Sequence, residues 1–328
     1  MKRANKTWGF LTGVALSSLL LLTACGGADG NGGGKPDTTA QTKQAEPEMR
    51  TVTHWKGQTE VPVHPQKIVT SQYTGELVAL GVKLAGAPKW QIDQLEIVGQ
   101  KAERQGIEDI GAPPNLEKIT GLSPDLIIGQ NAQEKVYDSL SKIAPTVLVP
   151  WGDENVYERL RTIAKVIGKE KQADEWIAAH EAKAAEGRKK IAPLIGKDET
   201  VAIVVVGGYE KGQLRVYGGR NVGHALYNDL KLNPPPAIKA EMDKNATFTS
   251  IQISLEKLPD YAAADRIFLL TFNNDPDYVK QVADSQLWKN LPAVKNGRVY
   301  TIAEDLWFTY DPLSVDRQLD EAIALLGK

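Results

Sequence analysis

Short aliphatic runs alternate with helical stretches along the chain from residue 67 onward. Each run is apolar and is bounded by Gly, Pro or polar turn residues, a pattern that predicts buried strands. In the first half the runs are KIVTSQ, KLAGAP, DLIIGQ and TVLVPW, and in the second half they are ETVAIVVVGG, QLRVYGG, DRIFLLTF and GRVYTI. Strands separated by helices indicate a largely parallel sheet covered on both sides. The pattern therefore predicts an α/β fold made of two such halves.

A long helical stretch joins the two halves. No strand signal occurs between Glu154 and Leu194, and the first proline of that stretch is Pro193. Gly168 is predicted to end one helix, and a second helix is predicted over residues 169–191, about 35 Å long at the usual rise per residue. This helix would be a stiff connector between two lobes, although an ordinary surface helix of one domain would show the same pattern.

One sequence motif occurs in each half. It reads NLEKITGLSPDLII at residues 115–128 and SLEKLPDYAAADRIFLL at residues 254–270. The Asn or Ser at its first position is a good helix N-cap, and Glu117 or Glu256 then falls in the first turn, where the helix dipole favours a carboxylate. Each glutamate alone is explained as a helix-start charge. The repetition on both sides of the long helix favours two similar lobes.

The first residues resemble a secretory signal. A basic start is followed by an apolar stretch over residues 8–24 and by LTACGG, whose Cys25 is the only cysteine of the chain. Leu-Thr-Ala-Cys resembles the bacterial lipoprotein signal, in which the cysteine is acylated and becomes the new N-terminus. A transmembrane anchor is the alternative, but the stretch is short for a bilayer span and contains Gly and Ser. We predict a signal peptide over residues 1–24 and a flexible tether over residues 25–50.

The rest of the chain is long enough for two domains with their own cores. We predict an N-terminal lobe over residues 51–165, a bridging helix over residues 166–193 and a C-terminal lobe over residues 194–328. The 39 Lys and Arg residues nearly balance the 41 Asp and Glu residues, so the charge indicates no polyanionic partner such as nucleic acid.

Together, these segments resemble the substrate-binding lipoproteins of ABC importers, and more narrowly the iron-siderophore, ferric-hydroxamate-type class. The closing LWKNLPAVKNGRVYTIAEDLWFTYDPLSVDRQLDEAI is similar to the C-terminal end of ferric-hydroxamate binding lipoproteins. The resemblance implies two Rossmann-like lobes bridged by a single long α-helix. It also implies a monomer, lipid-anchored on the extracytoplasmic face of the cell membrane, that captures a ferric siderophore and needs no cofactor. In the family, the glutamates that match Glu117 and Glu256 dock onto arginines of the permease dimer.

A ligand would sit in the crevice at the carboxyl ends of the strands. A ferric siderophore is already coordinated by its own oxygens and usually carries negative charge, so the protein needs cationic donors and flat aromatic walls rather than metal ligands. On one strand Arg215 and Tyr217 share a face, and Arg220 follows in the next loop. Trp307 and Tyr310 resemble the family's aromatic loop, with Phe308 between them assigned to the core. Candidates at the strand ends of the first half are Gln72, Tyr73, Lys89, Trp90, Gln130, Asn131 and Trp151.

Other ligands and another class of protein remain open. Direct capture of a bare metal ion would need three or four converging ligands, and the four histidines show no ligand spacing. Haem would need an axial ligand, which Tyr73 or Tyr310 could supply, and cobalamin would need a wide apolar cleft. An envelope hydrolase is the alternative of a different class, but neither G-x-S-x-G nor H-E-x-x-H occurs. The sequence does not distinguish hydroxamate, citrate-based and catecholate siderophores.

Overall fold

The structure is a computed structural model that describes residues 48–152, 154–208 and 210–328. The predicted signal peptide, Cys25 and the tether up to residue 47 lie outside the described residues. The first strand begins at Met49, close to the predicted start of ordered structure at Thr51.

Twelve strands and thirteen α-helices make up the described part of the chain. The strands are β1 (Met49–His54), β2 (Gly57–Pro62), β3 (Ile68–Thr70), β4 (Leu84–Ala87), β5 (Glu108–Asp109), β6 (Leu126–Gln130), β7 (Thr146–Val149), β8 (Val201–Val206), β9 (Leu214–Tyr217), β10 (Ser250–Gln252), β11 (Arg266–Thr271) and β12 (Val299–Ile302). The helices are α1 (Thr74–Ala79), α2 (Lys89–Ile97), α3 (Leu116–Leu122), α4 (Tyr137–Ser141), α5 (Val156–Ile167), α6 (Glu170–Ile191), α7 (Pro236–Lys244), α8 (Leu258–Ala262), α9 (Pro276–Asp284), α10 (Gln286–Lys289), α11 (Pro292–Lys295), α12 (Glu304–Trp307) and α13 (Pro312–Leu326). Short 3-10 turns cover Asn131–Val136, Asn221–Gly223 and Leu255–Lys257, and a π-helical turn covers His224–Asp229.

The strands form two five-stranded sheets and one hairpin. The first sheet has the order β5-β4-β3-β6-β7 and is entirely parallel, which confirms the prediction from its four aliphatic runs. The second sheet has the order β10-β9-β8-β11-β12, in which β9 alone runs against its neighbours. The antiparallel hairpin β1–β2 lies beside β7 and was not predicted, because its mostly exposed, polar strands lack an aliphatic run.

The bridging helix is present where the sequence predicts it. Helix α5 ends at Gly168, whose φ of 69° lies in the left-handed region that favours glycine at a helix C-terminus. Helix α6 then runs for 22 residues and leads into the second sheet.

The two lobes are joined by more than α6. Helix α13 belongs to the C-terminal end of the chain, yet it packs against α1 of the first lobe as well as against α5 and α6. One hydrophobic cluster contains Ile68 and Ile128 of the first sheet together with Ile203 and Phe268 of the second. All described residues belong to one compact unit. Among them, no helix combines the length and the apolar character that crossing a bilayer requires.

Candidate functional site

A cleft of about 880 Å³ lies where the carboxyl ends of both sheets face each other. Gln130, the last residue of β6, lines it from the first sheet, and Phe272, which follows β11, lines it from the second. Arg215 also lies at this edge, because the reversed strand β9 places it opposite Val205 near the end of β8. The cleft therefore occupies the crevice predicted for an open parallel sheet.

Aromatic side chains form much of the cleft wall. Trp90 and Trp151 contribute from the first lobe, and Tyr217, Phe308 and Tyr310 contribute from the second half of the chain. The exposed fraction of Trp90 is 50%, so its ring stands at the mouth of the cleft. Flat rings on both sides of a cleft offer large contact area to a bulky ligand at little cost in side-chain entropy.

Arg215 is the single cationic residue among those that line the described cleft. Its Nη2 donates to the carbonyl oxygen of Gly207 at 3.2 Å, whereas its Nε is buried without a hydrogen-bond partner in the described part of the chain. The guanidinium carbon lies 5.9 Å from the ring centroids of both Tyr217 and Phe308. Arg215 therefore brings a positive charge to the cleft beside two aromatic faces.

Carboxyl groups outnumber this arginine along the cleft. The acidic lining residues are Glu76, Asp93, Glu304, Asp305 and Asp311. Asp93 pairs with Lys89 at 2.7 Å and with Arg104 at 3.3 Å, so its charge is compensated.

Glu304 and Asp305 lie in the first turn of α12, and neither has an ion pair within the described ranges. The mouth of the cleft is therefore acidic, with two carboxylates that have no ion pair in the described chain, and this was not predicted from the sequence.

Two predicted contacts lie in the core instead of the cleft. Trp307 is fully buried and packs on Phe268, with 5.8 Å between ring centroids. Phe308, assigned to the core from the sequence, lines the cleft in its place. Tyr73 is also fully buried, and its hydroxyl donates to the carbonyl oxygen of Val149 at 2.9 Å.

Two predicted cationic contacts are directed elsewhere. Lys89 is exposed and bound to Asp93 on the outside of α2. Arg220 donates to the carbonyl oxygen of Gly152 at 2.5 Å and lies 5.2 Å from the ring centroid of Tyr310. It lines a second cavity, of about 510 Å³, on the other side of Tyr310. The structure therefore brings Arg215 but not Arg220 to the main cleft.

Several polar residues of the cleft were not predicted from the sequence. They are Gln91, Gln94, Asn221, Thr249, Ser250 and Thr309. Ser250 comes to the cleft because β10 pairs with β9 and sets it opposite Tyr217, and a strand of three residues leaves no signal in the sequence. Phe272 could have been predicted, since it is the last residue of the predicted strand DRIFLLTF and strand ends line such clefts.

The two motif glutamates occupy equivalent places in the two lobes. Glu117 begins α3 after β5, and Glu256 lies in the 3-10 turn after β10. Both side chains are exposed, and β5 and β10 are edge strands of their sheets. Both elements start at the carboxyl edge, because β5 is parallel to the first sheet and β10 runs in the same direction as β8.

The predicted N-caps differ in detail. The side-chain oxygen of Asn115 accepts from the backbone N–H of Lys118 at 3.0 Å, as an N-cap should. Ser254 stands at the corresponding position but makes no capping bond to the backbone. Two hydrogen bonds lower the pKa of the Glu256 carboxyl. The larger effect comes from the backbone N–H of Glu256 itself, and the smaller one comes from the Ser254 hydroxyl.

Two buried histidines near the bridging helix have opposite protonation preferences. His180 on α6 lies between Asp316, 2.8 Å from its Nδ1, and Asp229, 3.2 Å from its Nε2. Burial by itself would lower the pKa of His180, but the two carboxylates outweigh it and raise the pKa to about 9. Burial lowers the pKa of His224 to about 4, so its ring stays neutral near pH 7. Among the described residues, no group of three or more His, Cys, Asp and Glu side chains is arranged to hold a metal ion.

Comparison with known proteins agrees with this architecture. Residues 68–306 match the family model described as periplasmic binding protein. The chain is 35% identical over 324 residues to the iron(3+)-hydroxamate-binding protein YxeB of Bacillus subtilis, covering 97% of this chain and 96% of that protein. It is also 35% identical over 314 residues to the iron(3+)-hydroxamate-binding protein FhuD of the same organism, covering 94% and 95%.

Solved structures show the same fold. A FhuD fold-family periplasmic binding protein component of a Fep/Fec-like ferrichrome ABC transporter from Bacillus subtilis superposes with a TM-score of 0.74 at 33% identity, covering 84% of this chain and 100% of that one. Staphylococcus aureus SirA complexed with staphyloferrin B gives a TM-score of 0.70 at 30% identity, covering 84% and 98%. The family model and these relatives span most of the sequence, and the chain therefore belongs to the periplasmic binding protein family.

Proposed function

We propose that this protein captures a ferric hydroxamate chelate of neutral or positive total charge and delivers it to an ABC import permease. The observation that carries the proposal is the composition of the cleft, in which aromatic walls surround one arginine and an acidic mouth. The similarity to two iron(3+)-hydroxamate-binding proteins along nearly the whole chain supports the same class of ligand.

The aromatic walls suit a chelate whose surface is largely organic. Trp90, Trp151, Tyr217, Phe308 and Tyr310 can cover the ligand without contacting iron. The iron-bound oxygens of a hydroxamate carry partial negative charge, and the guanidinium of Arg215, which lines the cleft, would form a charge-assisted hydrogen bond with such oxygens.

The acidic mouth selects against highly charged anionic chelates. Glu304 and Asp305 have no compensating cation in the described structure, and each would repel a polyanion that approaches the cleft. A tricatecholate or citrate-based ferric chelate carries several negative charges that Arg215 alone cannot balance. A trihydroxamate chelate is neutral, and one with a free ammonium group is positive.

Haem fits the cleft less well. The Tyr73 hydroxyl donates a hydrogen bond to the carbonyl oxygen of Val149, and the Tyr310 hydroxyl accepts one from the backbone N–H of Val156 at 3.2 Å. Burial raises the pKa of both tyrosines, which disfavours the phenolate that an axial iron ligand requires.

A titration with a panel of ligands tests the proposal. The purified protein is mixed with a neutral ferric trihydroxamate, a ferric trihydroxamate with a free ammonium, a ferric tricatecholate, a ferric citrate and haem, and tryptophan emission is recorded. Trp90 and Trp151 line the cleft, so occupation of the site should quench the emission. We expect both trihydroxamates to bind more tightly than the anionic chelates, and the gap to narrow at high salt. Tightest binding of an anionic chelate or of haem would overturn the proposal.

We also propose Glu117 and Glu256 as the contacts with the permease. The support is positional: two exposed carboxylates follow the edge strands of two similar lobes, at the edge where the cleft lies. A permease with two-fold symmetry would present the same cationic group to each lobe. The lobes act in this proposal as one rigid monomer that offers both carboxylates at a constant separation.

The membrane anchor is likewise a proposal. It is supported by the basic start, the apolar run and the LTAC sequence that precedes the tether. Acylation of Cys25 would hold the binding protein near its permease on the extracytoplasmic face of the cell membrane.

A further inference from the structure

A fully buried arginine lies behind the aromatic walls of the cleft. Arg159 on α5 has an exposed side-chain fraction of 0%, and its Nε donates to the carboxylate of Glu76 on α1 at 2.7 Å. Its Nη2 donates to the carbonyl oxygen of Tyr310, and its Nη1 has no hydrogen-bond partner within the described ranges. One guanidinium thus links the first lobe to the segment that precedes the C-terminal helix.

The same guanidinium is stacked between two rings of the cleft. Its carbon lies 4.3 Å from the ring centroid of Trp151 and 5.2 Å from that of Tyr310. Arg220 lies 5.2 Å from the Tyr310 centroid and binds the Gly152 carbonyl of the first lobe. Rings and cations therefore alternate from one lobe to the other.

Close backbone packing reinforces this junction. Gly75 of α1 faces the side chain of Asp311, and a Cβ at that position would collide with it. Asp311 in turn caps α13, since its Oδ1 accepts from the backbone N–H of Ser314 at 3.0 Å. The junction thus also determines where α13 begins against the first lobe.

A buried ion pair is a poor way to gain stability, because desolvation of both charges consumes most of their attraction. Apolar residues of the same volume would not fix the orientation of Trp151 and Tyr310. The planar guanidinium fixes the orientation of both rings and binds one carbonyl oxygen at the same time. We propose that Arg159 is a positioning residue, which holds Trp151 and Tyr310 as preformed walls and keeps the lobes at the angle required for binding. The inference rests on the proposed function, since it concerns affinity for the same ferric chelate.

When the walls are already ordered before the ligand arrives, less conformational entropy is lost on binding. Loss of Arg159 should therefore weaken binding of every ferric chelate by a similar factor, whatever its charge. Loss of Arg215, a direct donor, should instead change the preference between chelates. This difference separates positioning from contact.

The test replaces the buried pair by neutral side chains of similar shape, Arg159→Met with Glu76→Gln, so that no buried charge is stranded. The matched control is Arg161→Met with Asp174→Asn, which removes an exposed pair that starts on the same helix. The measurements are affinity for the trihydroxamate panel, near-ultraviolet circular dichroism of the tryptophans, and small-angle scattering with and without ligand, all well below the melting temperature.

We expect the buried double variant to bind each chelate about tenfold to hundredfold more weakly. Its unliganded form should have a larger radius of gyration, and ligand should produce a larger compaction than in the wild type. The control should match the wild type in all three measurements. Arg159→Lys keeps the charge but loses the planar stack and the second directed donor, so it should fold and still lose about tenfold in affinity.

The outcomes are distinguishable. If the double variant melts earlier but binds and compacts as the wild type does, Arg159 has only a structural role and the inference is wrong. If the double variant does not fold, unchanged affinity in Arg159→Lys would also overturn it. If the wild type binds no chelate of the panel, the proposed function fails instead.

Discussion

Arg215→Ala is expected to weaken binding of a ferric hydroxamate by roughly tenfold to a hundredfold. The estimate follows from the loss of one charge-assisted hydrogen bond to the ligand, about 1.5–3 kcal/mol, from the cationic residue that lines the described cleft. The loss of stability should be limited, because within the described chain the guanidinium donates one hydrogen bond, to the carbonyl oxygen of Gly207. A hydrogen bond from a charged donor contributes about 1.5–3 kcal/mol, which corresponds to about 3–5 °C of melting temperature for a folded part of this length.

Two further variants separate charge from geometry. Arg215→Lys keeps the positive charge but cannot form two directed bonds from one planar group, so its affinity should fall between those of the wild type and the alanine variant. Lys89→Ala is the matched control, because it also removes one positive charge beside the cleft. Its side chain is 66% exposed and its ammonium is already paired with Asp93.

The assay is tryptophan quenching by a neutral ferric trihydroxamate at two salt concentrations, with melting temperature recorded for each variant. We expect Lys89→Ala to bind as the wild type does, and the deficit of Arg215→Ala to persist at high salt because the contact is direct. The reasoning is refuted if Arg215→Ala retains wild-type affinity while folded, since the cleft would then hold the chelate without its arginine.

Three other predictions concern the docking surface, the buried histidines and the anchor. Glu117→Ala and Glu256→Ala should each leave ligand affinity unchanged but reduce uptake of the chelate in cells, and the double variant should reduce it most. If both variants take up the chelate at the wild-type rate, the two glutamates are helix-start charges only. His180, with a pKa raised to about 9 from 6.5, should stabilise the fold fully below pH 6.5 and lose that effect as pH rises to about 9. His224, with a pKa lowered to about 4, should cost stability as pH falls from 6.5 to 4. The two histidines together favour a maximum of stability near pH 6.5. In melting curves recorded against pH, His180→Gln should reduce the loss of stability above pH 6.5 and His224→Gln should reduce the loss below it. Cys25→Ala should move the protein from the detergent phase to the aqueous phase in a partition assay, and unchanged partition would contradict acylation.

The sequence by itself determined the repeated α/β architecture. Strands buried on both faces must be almost entirely aliphatic, so β6 and β8 are visible as continuous apolar runs. A long stretch without strand signals or proline likewise predicts α6, because nothing in it interrupts helical hydrogen bonding. The places of Glu117 and Glu256 follow only in part from local order. The capping pattern puts each carboxylate at the start of a short helical segment, but the edge strands β5 and β10 that precede them have two and three residues and leave no signal.

Only the tertiary structure decided which side chains face the ligand. Trp307 and Phe308 are neighbours at the end of one short helix. Trp307 lies in the core because it packs on Phe268 of another element, and Phe308 then lines the cleft. The acidic mouth arises because α12 contacts α2 of the first lobe as well as α13 and β11, an arrangement that no local pattern encodes.

Arg159 shows the same limit most clearly. In the sequence the helical period places it on the apolar face of α5 with Val156 and Ile163, unlike the exposed Arg161, but no local pattern names a partner for its charge. It is buried because Glu76, 83 residues earlier, and Tyr310, 151 residues later, meet it at the junction of the lobes. Burial of a charge depends on partners brought together by the whole fold, and the periodicity of one helix carries no information about them.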